Sequence, residues 1–117
     1  MKLAREFAIF AVAMSLTITS AGATHKPVST SDPASYVVDI RDFAFSPRTL
    51  VISVGSKVTW KNEDEEPHKL AETNHVFTSP PLDTGEGFVY EFRRAGRYEY
   101  FCTIHPHMTG EIIVESK

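Results

Sequence analysis

The chain has 117 residues and a formal net charge of −3, from 12 basic and 15 acidic side chains. This slightly acidic balance, without a basic stripe, argues against a nucleic-acid-binding protein held by phosphate contacts. The length suits one small domain, and the single cysteine excludes an internal disulfide.

The N-terminal segment has the pattern of a secretory signal. Lys2 and Arg5 make a positive region, residues 7–16 are an apolar run, and residues 21–23 read Ala-Gly-Ala, a small-residue cleavage pattern. The apolar run is shorter than the roughly 20 residues that a membrane span needs, and an uncleaved anchor is the alternative. We therefore predict a signal peptide at residues 1–23, export to the periplasm, and no membrane span in the mature form. Residues 24–35, rich in Ser, Thr and Pro, are expected to be a flexible leader.

Short strand patterns follow one another along residues 36–117, the predicted domain. Apolar residues alternate within them, and Gly or Pro separates them. No stretch shows a helical period over ten residues. We therefore predict an all-β fold, a Greek-key β-sandwich or barrel of about eight strands. The clearest strand patterns lie at residues 36–40, 50–52, 58–60, 87–92, 97–101 and 111–114.

Large aromatic side chains on these strands are expected to form the core. An electron-relay role is the alternative for Trp60. Tyr98 and Tyr100 follow a glycine turn, and their placement is typical of a tyrosine that ties a corner of a sandwich by a hydrogen bond to the backbone. The predicted core aromatics are Phe43, Phe45, Trp60, Phe88 and Phe92.

Three metal-binding side chains lie within the seven residues from Cys102 to Met108. The thiolate of Cys102, the imidazole of His105 and the thioether of Met108 together suit copper. A structural zinc site normally shows more cysteines, and covalent haem attachment needs a second one. The segment therefore predicts a copper site. A catalytic Cys–His pair and a buried structural cysteine are the alternatives.

A further ligand is expected from another strand end, because the loops at one end of a sandwich converge. His68, which follows the strand that contains Trp60, is the first candidate, and His75 is the alternative. His107 is expected to be a surface side chain, with a weak metal contact as the alternative. The acidic run at residues 63–66 is expected to be a solvated loop, with steering of a basic redox partner as the alternative.

Taken in order, these fragments resemble the type 1 (blue) copper proteins, the cupredoxins. Residues 60–68 read W-K-N-E-D-E-E-P-H, and residues 96–110 read G-R-Y-E-Y-F-C-T-I-H-P-H-M-T-G. The resemblance covers residues 36–115. The spacing Cys-x-x-His-x-x-Met is more similar to the amicyanin branch than to plastocyanin.

The resemblance implies a one-electron carrier rather than an enzyme. It implies one mononuclear type 1 copper ion held by His68, Cys102 and His105, with Met108 as a weak axial ligand. It further implies transient redox protein partners, with a periplasmic dehydrogenase as donor and a c-type cytochrome as acceptor. We expect a monomer that binds no nucleic acid. A protein that stores copper or delivers it to an exported cuproenzyme is the alternative, since it would use the same ligands.

Two further expectations come from the resemblance. In the family, the C-terminal histidine ligand is the electron port, and here that residue is His105. An apolar docking patch is expected around it, formed by Ile104, Pro106, Met108 and Pro67. Lys69 stands where the family often has an asparagine that links the two ligand loops, which leaves the rigidity of the site open.

Overall fold

The protein is described here by a computed structural model that covers Gly22 and residues 33–117. The predicted signal peptide, apart from Gly22, and most of the predicted leader lie outside the described residues. Within the covered ranges there is no helix long and apolar enough to cross a membrane.

Eight β-strands in two four-stranded sheets make up the fold of residues 33–117. The first sheet has the order β2-β1-β4-β6, and the second has the order β3-β8-β7-β5. The prediction of an all-β fold with about eight strands is confirmed. The strands are β1 (Ser35–Arg41), β2 (Ala44–Ser46), β3 (Thr49–Ser53), β4 (Lys57–Asn62), β5 (Leu70–Glu72), β6 (Gly87–Glu91), β7 (Gly96–Cys102) and β8 (Thr109–Glu115).

Both sheets are mixed. β1 pairs parallel with β4, and β3 pairs parallel with β8, whereas the other pairs are antiparallel. Parallel neighbours require long crossover connections, so each sheet joins segments that are distant in sequence. Two pairs join neighbours in the chain instead: the β1–β2 hairpin, in which Arg41 pairs with Ala44 across a two-residue loop, and β7–β8, in which Phe101 pairs with Thr109.

The core between the sheets is centred on Trp60, which is fully buried. Its ring centroid lies 5.3 Å from those of Phe77 and Tyr100. Phe45 and Phe92 are buried as predicted, and Phe88 is half-buried against the same cluster. This continuous aromatic packing supplies much of the apolar burial that stabilises a small domain.

The prediction that Phe43 belongs to the core was wrong, since its side chain is 44% exposed. The alternating pattern runs through Phe43 and Phe45, but the chain reverses at the two-residue loop formed by Asp42 and Phe43. Phe43 therefore lies in the β1–β2 loop, where it cannot reach the space between the sheets.

The two tyrosines of β7 have different roles. The Tyr98 hydroxyl donates a hydrogen bond to the Arg94 carbonyl at 2.8 Å, and this is the predicted tie at the corner of the sandwich. Tyr100 is buried instead, and burial raises its pKa to about 12. Its ring lies over Gly110 of β8, where a Cβ atom would come within 3.0 Å of the ring. The close approach of these two strands therefore requires glycine at position 110.

Candidate metal centre

The structure brings three of the four predicted ligand residues together at one end of the sandwich. The Cys102 sulfur lies 3.6 Å from Nδ1 of His68 and 3.8 Å from Nδ1 of His105. One donor atom from each of the three residues lies within 4.8 Å of the other two. Cys102 and His68 are fully buried, whereas His105 is partly exposed.

Met108, the fourth predicted ligand residue, closes the loop that contains His105. Its backbone N–H donates to the His105 carbonyl at 2.9 Å, and its carbonyl accepts a hydrogen bond from the Cys102 N–H at 3.0 Å. The side chain is 2% exposed. The loop is thus a tight turn whose two ends are held together by the backbone.

Two separate segments supply the donor atoms, and backbone hydrogen bonds hold these segments together. Cys102 ends β7, and its register partner is Leu70 of β5. His68 lies just before β5, where its backbone exchanges hydrogen bonds with Leu82. The Thr103 N–H donates to the Lys69 carbonyl at 2.7 Å. The link between the ligand loops therefore uses the backbone at position 69 and does not need an asparagine side chain.

Asp64 fixes the orientation of His68. Its Oδ2 atom lies 2.9 Å from Nε2 of His68, so a proton on Nε2 leaves the Nδ1 lone pair directed at Cys102. Partial burial acts to raise the pKa of Asp64, but hydrogen bonds from the Phe43 and Asp42 amides and from His68 outweigh it and lower that pKa.

The role of Asp64 was missed by the sequence reasoning, which placed it in a solvated acidic run. Glu65 and Glu66 of that run are exposed as expected, whereas the Asp64 side chain is 10% exposed. The spacing of Asp64 and His68, four residues apart, is the signal that was available.

Phe43 packs against both histidines of the cluster. Its ring centroid is 5.7 Å from that of His68 and 5.1 Å from that of His105, and both contacts are edge-to-face. The backbone of Phe43 has a φ of 56°, and Asp42 before it has a φ of 54°. Left-handed backbone costs about 1–2 kcal/mol per residue for an L-amino acid with a side chain. The turn that holds Phe43 over the site is therefore strained.

The surface around His105 contains only part of the expected apolar docking patch. Ile104 is 48% exposed, and Pro67 and Pro106 are also exposed. Met108 is buried, so it does not belong to this surface. Phe43, absent from the expected patch, takes its place beside His105.

The other two candidate histidines lie outside the cluster. His107 is exposed, and its ring centroid is 6.4 Å from that of His105. His75 is exposed in the turn after β5, where its φ of 63° and a hydrogen bond from its N–H to the Glu72 carbonyl fit a structural role. His68 rather than His75 accompanies Cys102.

The donor set fits a type 1 copper site. A buried thiolate with two imidazole nitrogens, and a thioether in the same loop, is the combination that such sites use. The Nδ1 atoms of both histidines face the sulfur, and Asp64 holds one of them as a hydrogen-bonded outer partner, as is usual for metal-bound imidazoles.

Known proteins match this chain along most of its length. A family model described as Cupredoxin-like domain matches residues 8–114. Amicyanin from Paracoccus versutus is 34% identical over 107 residues, which cover 86% of this chain and 78% of the relative. Amicyanin-alpha from Methylorubrum extorquens is 30% identical over 114 residues, which cover 93% of this chain and 96% of the relative.

Two solved structures show the same similarity. A purple cupredoxin from Nitrosopumilus maritimus is 34% identical with a TM-score of 0.64, and the match covers 68% of this chain and 99% of that one. An amicyanin variant in its Cu(I) form is 31% identical with a TM-score of 0.66, and the match covers 69% of this chain and 82% of that one.

Proposed function

Because the chain belongs to the cupredoxin family, in the group of amicyanin and plastocyanin, and this family carries one type 1 copper ion, we propose that it is an exported one-electron carrier. One observation carries the proposal: a buried thiolate and two imidazole nitrogens lie within 4.8 Å of one another. His68, Cys102 and His105 are proposed to hold the copper, with Met108 as a weak fourth ligand. The bound ion would supply a Cu(I)/Cu(II) couple that moves one electron.

The protein's own residues would hold the donor atoms and keep water away. Cys102 and His68 have no exposed surface, and Met108 is 2% exposed. The backbone bond between Thr103 and Lys69 joins the two ligand segments. The positions of ligand atoms held in this way change little when an electron arrives or leaves. All four donors are used by the ion, so we propose that the protein has no substrate and is not an enzyme.

Electron exchange is proposed to occur at His105, the one histidine of the cluster that is partly exposed. Ile104 and Phe43 beside it are 48% and 44% exposed, which gives a small apolar surface. Small surfaces suit the brief encounters of redox proteins. We propose a monomer whose partners are other redox proteins, namely a periplasmic dehydrogenase as donor and a c-type cytochrome as acceptor.

Export to the periplasm is proposed from the signal pattern of residues 1–23. N-terminal sequencing of the protein isolated from a periplasmic extract tests this proposal, and the expected first residue is Thr24. A protein that keeps Met1 and stays in the cytoplasmic fraction would contradict it.

A visible absorption spectrum of the Cu(II)-loaded protein tests the site. We expect an intense thiolate-to-copper band that bleaches with ascorbate and returns on reoxidation. Cys102→Ser should abolish the band, whereas His75→Ala, a histidine outside the cluster, should leave it unchanged. Weak absorption from the parent protein would contradict the proposed site. Rapid loss of copper to a weak chelator would instead favour copper storage or delivery.

A further inference from the structure

One carboxylate joins the metal centre to the β1–β2 turn. Oδ1 of Asp64 accepts the N–H of Asp42 at 2.6 Å, and Oδ2 accepts the N–H of Phe43 at 3.0 Å. Oδ2 also lies 2.9 Å from Nε2 of His68. Asp64 therefore has hydrogen bonds both to His68 of the metal cluster and to Asp42 and Phe43, which lie 22 and 21 positions away in sequence.

The β1–β2 turn needs such an external support. A two-residue hairpin loop with positive φ at both positions is the geometry of a type I′ turn, which favours Asn-Gly or Asp-Gly. Asp42 suits the first position, but Phe43 stands where glycine is preferred. A bulky residue in left-handed backbone persists only where its surroundings hold it there. The two hydrogen bonds that the Asp64 carboxylate accepts from the Asp42 and Phe43 amides provide that hold.

The turn places an aromatic ring over the histidines. The Phe43 ring meets both imidazoles edge-to-face, at centroid distances of 5.7 and 5.1 Å. The ring is 44% exposed, so one side faces solvent while the other covers His68 and His105. Release of the turn would uncover this side of the site.

We propose that Asp64 is a positioning residue that holds the Asp42–Phe43 turn closed, so that Phe43 covers the histidine side of the metal centre and slows the exchange of its metal. The inference rests on the proposed copper site, because it assigns the cover a role in retaining copper. This effect runs through the turn and Phe43, and it is separate from the hydrogen bond between Asp64 and His68.

The cover is tested first in the metal-free protein, by NMR. The His105 ring protons are the reporter, because they lie against Phe43 and Asp64 does not hydrogen-bond to His105. Phe43→Ala gives the shifts of an uncovered site. Asp64→Ala should move the His105 shifts most of the way to those values and speed amide exchange at positions 42 and 43. Glu65→Ala, an exposed acid of the same loop, is the matched control and should change neither.

The contrary NMR result is equally clear. If Phe43→Ala moves the His105 shifts and Asp64→Ala leaves them at the parent values, the turn stays closed without Asp64 and the proposal is overturned. Should Asp64→Ala not fold, Asp64→Asn replaces it, since its single carbonyl oxygen can support only part of the turn. This variant should then give an intermediate shift.

Copper retention is the second test. Excess bathocuproine, a Cu(I) chelator, should remove copper from reduced Asp64→Ala and Phe43→Ala on the order of tenfold faster than from the parent protein. Glu65→Ala, the control of the NMR test, should leave the rate unchanged. In the Phe43→Ala background, Asp64→Ala should add less acceleration than it adds to the parent protein, and the part that remains belongs to the lost hydrogen bond to His68.

The two proposals can fail separately. If Asp64→Ala speeds copper removal by the same factor in the Phe43→Ala background as in the parent protein, Asp64 does not act through Phe43. A parent protein that binds no copper would refute the proposed function, and the NMR test on metal-free protein would still decide whether Asp64 holds the cover.

Discussion

Gly110→Ala is expected to destabilise the protein through one steric conflict. The added Cβ would come within 3.0 Å of three atoms of the Tyr100 side chain, including its hydroxyl oxygen. The φ of Gly110 lies outside the left-handed range, so the backbone accepts alanine without strain. Tyr100 cannot withdraw, because its ring is packed against Phe45 and Trp60 at centroid distances of 4.8 and 5.3 Å.

The magnitude follows from this confinement. Overpacking a well-packed core costs about 1–3 kcal/mol, and we expect a value near the upper end because the ring has no free side. For a domain of this size, that loss lowers the unfolding temperature by roughly 10–20 °C. Urea unfolding of the metal-free protein measures the cost as a lower midpoint with an unchanged slope.

A double-mutant cycle separates the contact from other effects. Tyr100→Leu removes the outer ring atoms that the new Cβ would meet. In that background Gly110→Ala should cost less than about 0.5 kcal/mol, which corresponds to a coupling of at least about 2 kcal/mol between the two positions. Gly55→Ala is the control for backbone strain alone, because Gly55 has a φ of 92° and open space around it. An equal cost of Gly110→Ala in both backgrounds would refute the steric account.

Three further outcomes are expected. Met108→Leu should lower the free energy of unfolding by less than about 1.5 kcal/mol and leave the thiolate-to-copper band in place. The reduction potential should rise, because an apolar side chain replaces the thioether. An unchanged potential in a redox titration would argue against Met108 as a copper ligand. The pKa of Tyr100 is raised to about 12 in the folded protein, so the folded state keeps its proton where the unfolded state loses it. The free energy of unfolding should therefore fall as the pH rises from about 10 to about 12, by at most roughly 3 kcal/mol, and urea unfolding of Tyr100→Phe should lack this contribution. If the parent protein and Tyr100→Phe lose the same free energy of unfolding over this pH range, Tyr100 is not the source of the loss. Lys69→Ala should change stability by less than about 0.5 kcal/mol and leave the visible band in place, because the Lys69 carbonyl accepts the bond from Thr103; a shifted band would reveal a role for the side chain.

Much of the architecture was predictable from local pattern. Alternation places Val58 and Trp60 on one face of β4, and both are buried. The spacing from Cys102 to Met108 indicates a metal loop, since three soft or nitrogen donors so close together have few other uses. The short strand β5 was missed because its three residues are too few to show a period.

The supports of the site were not predictable in the same way. A two-residue turn keeps Phe43 in phase with the alternating pattern, so periodicity cannot reveal that the chain reverses there. The hydrogen bonds from the Asp42 and Phe43 amides to Asp64 join positions 22 and 21 residues apart, and such contacts leave no local signature. These contacts depend on the parallel pairing of β1 with β4, which brings the β1–β2 turn beside the loop that follows β4.

The position of β8 bears on how the molecule assembles. This strand is the eighth in chain order, yet it lies between β3 and β7 inside the second sheet. β3 and β7 therefore gain their shared neighbour only when this last strand joins the sheet. The β3–β8 pairing joins Thr49 to Glu111, and pairings between segments so distant in sequence slow folding to the millisecond-to-second range. Cys102 ends β7, so the sheet that carries this thiol is incomplete until β8 has paired with β7.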